Sequence, residues 1–325
     1  MVWNLVLSKS FGPNAQSLPL CRFGNSRHHG TMENRLPRFR RESTVQFELT
    51  ERDLAIIWLV DRHRFIRSPQ IISLIGGSKQ NILRRLKLLY HHGYLERPRA
   101  QIDNYHQPGS RHIVYGLGDH GGELLQQKSG GTYTSWGEKN RASGRMFLEH
   151  TLFVSDAMAA IELTCRARGI RLISSDKFMP TGQGSFEWRV ATKKHRLGIV
   201  PDETFALEFT DANGGTKRSY FFLEADRGSM PVARQNLTQT SMRRKFIAYA
   251  ATWRQGLHTS ILGLPHFRVL TITASSARLK SVVEECSQLE SGQGLFLFAD
   301  KSILAGDMLS GWRTAKDGNP VSLLD

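Results

Sequence analysis

Between Thr50 and Gly93 the chain is punctuated by three helix-start signals and two glycine stops, and no other feature constrains its fold so tightly. Thr50 with Asp53 three residues later is a capping-box-like start, followed by Leu54, Ile57 and Trp58 at helical spacing. Ser68-Pro69 sets a second start, a capping hydroxyl before a proline at the first helical position, and Gly76-Gly77 ends that helix. Ser78 caps a third. Its apolar members Ile82, Leu83, Leu86, Leu89 and Tyr90 fall on one side, Lys79, Gln80, Asn81, Arg84 and Lys87 on the other, and Gly93 closes it. Residues 94–99 read as a strand, 100–110 as a polar loop and 111–117 as a second strand. Three helices followed by a hairpin predict a winged helix-turn-helix.

The remaining pattern predicts an α+β chain in four parts: a disordered basic arm (1–45), the winged helix (46–127), a linker rich in Gly, Ser and Thr (128–145) and an α/β domain (146–325). A short helix is expected over 119–127 and a longer one over 146–168. Strands are expected over 171–174, 186–190, 203–209 and 218–225, the last two joined by a turn beginning at Asp211. Residues 242–255 and 277–289 read as helices, 268–273 and 295–298 as strands. Met32, just ahead of the basic run Arg35, Arg38, Arg40 and Arg41, is a second candidate start of the chain.

Charge then narrows the partners. The 325 residues carry a formal +15, of which +11 falls in the first 145 residues, a field that favours phosphate backbones or anionic surfaces. The longest apolar run, residues 54–60, is far short of the ~20 a spanning helix needs, so no membrane insertion is expected. Cys21, Cys165 and Cys286 stand far apart without a C-x-x-C pair and read as reduced thiols. No signal peptide is evident, so a cytoplasmic location is expected.

In helix-turn-helix docking the second helix of the pair enters the major groove with its N-terminal residues on base edges. Those residues are Ser78, Lys79, Gln80, Asn81, Arg84 and Arg85. Arg and Lys suit guanine, Asn and Gln suit adenine, and a serine suits phosphate. Arg97, Arg99 and Arg111 in the hairpin are expected on the DNA backbone. The competing reading is a solvated helix face used for protein contacts. The pairs His28-His29 and His91-His92 are not chelates, because adjacent side chains on a helix point about 100° apart.

The second half carries Pro201-Asp202, a hairpin, and then Phe222-Leu223-Glu224-Ala225-Asp226-Arg227-Gly228. Two carboxylates on neighbouring strands can bind one hard cation, Mg²⁺ or Mn²⁺. This arrangement resembles the PD-(D/E)xK nucleases, and the resemblance implies that Asp202 and Glu224 hold the metal while a lysine two residues after the Glu positions the attacking water. That place is taken by Asp226, which is kept among the candidate catalytic groups as a further carboxylate that would enlarge the metal site. Lys245 or Arg227 are the candidate substitutes, and Glu149 a candidate further ligand. The bland alternative has Asp202 capping a turn and Glu224 and Asp226 pairing with Arg227, Arg243 or Arg244 as an ion network. Neither a G-x-S-x-G nor a P-loop pattern is present, which argues against serine-hydrolase and ATP-driven chemistry.

Taken in order along the chain, Leu49-Thr50-Glu51-Arg52-Asp53, Arg64 to Ile71, Arg84-Arg85-Leu86, Gly93-Tyr94-Leu95, Val114-Tyr115-Gly116-Leu117, Gly121, Glu149-His150, Pro201-Asp202, Phe222 to Gly228, Lys245 and Tyr249 are similar to the replication-relaxation family of plasmid and mobile-element proteins. The resemblance implies a DNA-binding accessory role in replication or DNA relaxation, with double-stranded DNA and replication or relaxosome proteins as partners and a degenerate nuclease-like domain. Two further readings stand beside it: a metal-dependent endonuclease targeted by the winged helix, and a repressor whose second domain pairs two copies into a homodimer.

Overall fold

The computed structural model describes residues 38–42, 46–106, 112–129, 136–179, 187–192, 195–211, 213–316 and 318–325, and residues 37–325 form one compact unit. It is an α+β fold. The expectations for the arm before residue 38, for Cys21 and for Arg111 lie outside the described residues.

The first half starts with α1 (Glu51–His63), where Thr50 and Asp53 form the reciprocal capping box that their spacing predicts. Then come β1 (Phe65–Arg67), α2 (Ser68–Ile75) and α3 (Lys79–His91), the last capped by Ser78. Ile56, Ile57, Val60, Ile71, Ile82, Leu86 and Leu89 interlock beneath them, all fully buried or nearly so. Burying each such side chain stabilises by about 1.5–3 kcal/mol before entropy is counted. Gly93 follows α3 at φ 79, the left-handed conformation that a glycine adopts without a Cβ penalty.

A three-stranded antiparallel sheet of order β1-β3-β2 closes this half, with β2 (Leu95–Glu96) and β3 (Val114–Leu117). The expected hairpin is thus shorter than its sequence suggests and gains β1, a three-residue strand between two helices. Ser68 lies inside α2, one place past the expected cap, because Arg67 is drawn into β1 opposite Val114.

Two expectations are corrected. The stretch 128–145 contains the end of α4 (Asp119–Ser129) and all of α5 (Trp136–Arg141), which packs on the first half rather than linking. Its Asn140 is buried and donates to Leu117 O at 2.9 Å, and Gly137 N donates to Asp119 Oδ1 at 3.0 Å. The end of the expected arm is also docked: Arg41 donates to Tyr90 O, Leu95 O and Glu96 Oε2. The cause is Glu96, which is buried and takes Arg41 and Arg141 together as counter-charges.

Arg64, between α1 and β1, has φ 59 without being glycine, a conformation that costs about 1–3 kcal/mol. Its guanidinium sits 4.8 Å from the Trp136 ring and 4.6 Å from the Phe147 ring, cation–π contacts that offset part of that strain.

The second half is a seven-stranded mixed sheet of order β12-β11-β10-β9-β8-β7-β4. Its strands are β4 (Arg171–Ser174), β7 (Glu203–Thr210), β8 (Thr216–Asp226), β9 (Arg268–Thr273), β10 (Phe296–Asp300), β11 (Trp312–Thr314) and β12 (Pro320–Val321), and a separate hairpin is made by β5 (Trp188–Ala191) and β6 (Arg196–Ile199). β8, β9 and β10 run parallel, and the other pairings are antiparallel. Alternation along β8 sends Phe221 and Leu223 to one face, against α6 (Arg145–Ala167), and Phe222 to the other, against α7 (Met242–Arg254) and α9 (Ser276–Ser287). The short α8 (Leu257–Ser260) follows α7.

α6 belongs to both halves. Leu148 and Leu152 near its start pack with Phe65 and Val114, and Ala157, Ile161 and Cys165 further on pack against the large sheet. Cys165 and Cys286 are free and buried, and burial pushes both thiols up to about 12, so they act as apolar fillers. No helix among the described residues is long and apolar enough to cross a membrane.

His63 in the last turn of α1 is buried, and burial with Arg62 nearby lowers its pKa to about 3. The folded state therefore refuses a proton that the unfolded chain accepts below about pH 6.5, and stability is lost as the pH falls through that value. Urea unfolding followed from pH 7 to pH 5 is expected to show wild type losing about 2 kcal/mol more than His63→Leu. Parallel pH profiles for the two proteins would overturn this.

Candidate active site

Alternation on β8 that turns Phe222 toward α7 also turns Glu224 there, two residues on. Glu224 is 2% exposed and both carboxylate oxygens are engaged: Oε2 by Lys245 Nζ and Oε1 by Tyr249 OH at 2.6 Å. Lys245 and Tyr249 stand four apart on α7 and so share one helix face. Ser241 caps that helix through Arg244 N at 3.2 Å, which fixes where Lys245 points.

Asp202 joins them from the start of β7, where Glu203 pairs with Leu223. Its backbone N donates to Leu223 O at 3.1 Å, and Ala225 N donates to its Oδ2 at 2.7 Å. Oδ1 lies 3.2 Å from His150 Nε2, reaching across from α6. Asp202 and Glu224 are thus brought to one sheet end, with Lys245 above and His150 beside them.

The charges follow from burial. Burial pushes the Asp202 carboxyl up, but the His150 hydrogen bond and the Lys245 cation overcome it and hold the group below the usual carboxylate range. Glu224 is more deeply enclosed, and burial, aided by Asp202, raises it to about 7 against the pull of Lys245. Lys245 is itself desolvated, yet the two carboxylates raise it to about 12. It holds its proton firmly at neutral pH.

The other sequence candidates separate from this trio. Asp226, in the place of the motif lysine, turns to Arg278 of α9, whose Nε donates at 2.6 Å and Nη2 at 3.2 Å. Its carboxylate is taken by Arg278 rather than turned to Glu224, although its charge also helps to raise Lys245. Arg227 pairs with Glu149 rather than Glu224, and Glu149 also takes Arg145 at 2.8 Å. Arg243 faces Glu285, and Arg244 donates to Leu237 O at 3.0 Å. Sequence reasoning left His150 without a role, although its spacing one residue after Glu149 on a helix set it on a different face from that acid.

Of the residues expected on DNA, Ser78, Lys79, Gln80, Asn81 and Arg84 are exposed at the start of α3, and Arg99 is exposed beyond β2. Two are corrected. Arg85 is committed to Asp53, which is wholly buried, and to Glu48 O, and it lies 4.5 Å over the Phe47 ring. Arg97 is 4% exposed, donates to Tyr115 OH at 3.1 Å and lies 4.0 Å over the Tyr90 ring. Both guanidiniums compensate buried groups and are spent on folding.

The replication-relaxation family model matches residues 58–264, a span that contains α3, Asp202, Glu224 and Lys245. The chain belongs to the replication-relaxation family. No curated protein and no solved structure matches it. Within the replication-relaxation span lie both the exposed start of α3 and the carboxylate–lysine trio, whereas Arg278 and the strands β9 to β12 fall outside it. Family membership ties the chain to replication and relaxation.

The donor chemistry of the trio suits a hard divalent cation. Asp202 and Glu224 offer carboxylate oxygens at one strand end, the pairing through which Mg²⁺ is commonly held while it keeps waters or substrate phosphates as its other ligands. Among the described residues no group of three or more His, Cys, Asp or Glu is placed to hold a metal.

Proposed function

We propose that this protein binds DNA in plasmid or mobile-element replication and relaxation, with a winged helix-turn-helix docking α3 on the duplex and a nuclease-like second domain nicking a strand. The observation that carries the cleavage step is the contact of Lys245 with Glu224 beside Asp202. A cation supplied by α7 stands in for the lysine that Asp226 displaces from β8, so the reading of a degenerate site loses its main support.

Asp202 and Glu224 would hold Mg²⁺ or Mn²⁺, which when bound polarises the phosphodiester and acidifies water. Lys245, protonated, orients an incoming nucleophile and stabilises negative charge; with its pKa near 12 it does not accept a proton. His150 keeps Asp202 oriented and ionised. On the DNA side, Lys79, Gln80, Asn81 and Arg84 meet base edges and phosphates, and the +11 of the first 145 residues draws the duplex in.

The accessory reading rests on one observation, that Tyr249 and Lys245 already occupy both oxygens of Glu224 in a closed network. Supercoiled plasmid separates the two. Wild type is expected to convert it to open circle with Mg²⁺ or Mn²⁺ and not with EDTA, and Asp202→Ala is expected to remove the conversion. DNA binding without conversion in either metal would overturn the nuclease reading and leave the accessory one. A palindromic footprint indifferent to metal would favour the repressor.

A further inference from the structure

Between the first half and the large sheet lies a cleft of about 670 Å³. Three of its wall residues, Arg227, Ala274 and Lys301, each directly follow one of the parallel strands β8, β9 and β10. Crevices at the carboxyl ends of such strands are where open α/β sheets take ligands. The opposite wall is Arg67 of β1 and Val114 of β3, and the floor is α6.

Two properties of the cleft define its occupant. Its rim is cationic: Arg67, Arg145, Arg227 and Lys301 outnumber Glu149 and Asp156. Both carboxylates are already bridged, Asp156 by Arg67 and Glu149 by Arg145 and Arg227, while Lys301 is exposed and makes no ion pair among the described residues. Its floor is apolar, with Leu152 and the half-buried ring of Phe153. A positive rim over an apolar, partly aromatic floor is what unpaired nucleotides require, since their phosphates and base faces are presented together. A duplex hides its base faces and gains nothing from the floor. The volume is that of a small-ligand pocket, enough for a short piece of one strand.

The cleft adjoins the trio only through α6, since no member of the trio lines it. Glu149 lines it, and the next residue of α6, His150, holds Asp202. Resting on the DNA reading above, we infer that the cleft receives a single DNA strand leaving the duplex held by the winged helix, so that the substrate is duplex DNA with a single-stranded branch.

Fluorescence anisotropy of the full chain in EDTA tests this with cleavage switched off. A blunt duplex is compared with the same duplex carrying a single-stranded overhang, at one salt concentration. The overhang is expected to bind about tenfold tighter, stacking and phosphate contact both adding to affinity. Lys301→Glu is expected to remove that advantage and leave the blunt duplex affinity unchanged, and Arg145→Ala to reduce it. Equal affinity of wild type for the two DNAs would overturn the proposal while sparing the winged helix. An advantage untouched by both variants would also overturn it. Absence of binding to either DNA would overturn the DNA reading itself, a result distinct from both.

Discussion

Lys245→Met is expected to lower metal-dependent nicking of supercoiled plasmid by roughly 10²- to 10³-fold, the range for removing one preorganised donor that stabilises charge in a transition state. The chain should stay folded. Methionine fills the space of the lysine stem, Tyr249 still donates to Glu224, and Glu224, already raised to about 7, takes up a proton once its cation is gone. Near-normal circular dichroism with nicking lost is therefore the expected pair of readings, and nicking at the wild-type rate would remove Lys245 from the mechanism. Asp226→Asn supplies the contrast. Its carboxylate serves Arg278, so it should lower the melting temperature and leave the nicking rate of the folded protein close to wild type.

Arg85→Glu is expected to destabilise the protein by about 3–5 kcal/mol, the cost of breaking a buried ion pair, and here a second carboxylate is also set against Asp53. Against the 5–15 kcal/mol by which a typical domain is stable, that is a large share. Arg84→Glu, one residue away and exposed, should leave urea unfolding unchanged and weaken DNA binding. The neighbouring residues thus separate two effects that a double charge reversal would confound. An Arg85→Glu protein with wild-type unfolding and weakened DNA binding would return Arg85 to the DNA surface.

The difference between Arg84 and Arg85 shows what was legible from the sequence. Capping residues act over three or four positions, so Thr50, Ser78 and Gly93 marked the limits of α1 and α3 correctly, and long alternating strands such as β7 and β8 announced themselves. Three-residue strands carry too little periodicity to be seen, which is why β1 and β11 went unread. Long-range pairing is invisible for a different reason. Asp53 with Arg85, and Asp226 with Arg278, meet only after the chain has folded over 32 and 52 residues. Asp202 and Glu224 were found because a hairpin joins their strands, and Lys245 stood among the substitutes on α7. Its choice over Arg227, which pairs with Glu149, needed the packing of α7 on the sheet.

α6 spans 23 residues, about 34 Å, and its two ends are anchored in different cores. A flexible tether would let a cutting site sample many positions along a bound DNA. A shared rigid helix with apolar anchors at both ends does not. On the proposed function, a fixed separation between a groove docked on α3 and a phosphate held at Asp202 would be a built-in ruler, and breaks would fall at a constant offset from the recognised sequence, on one strand and in one orientation.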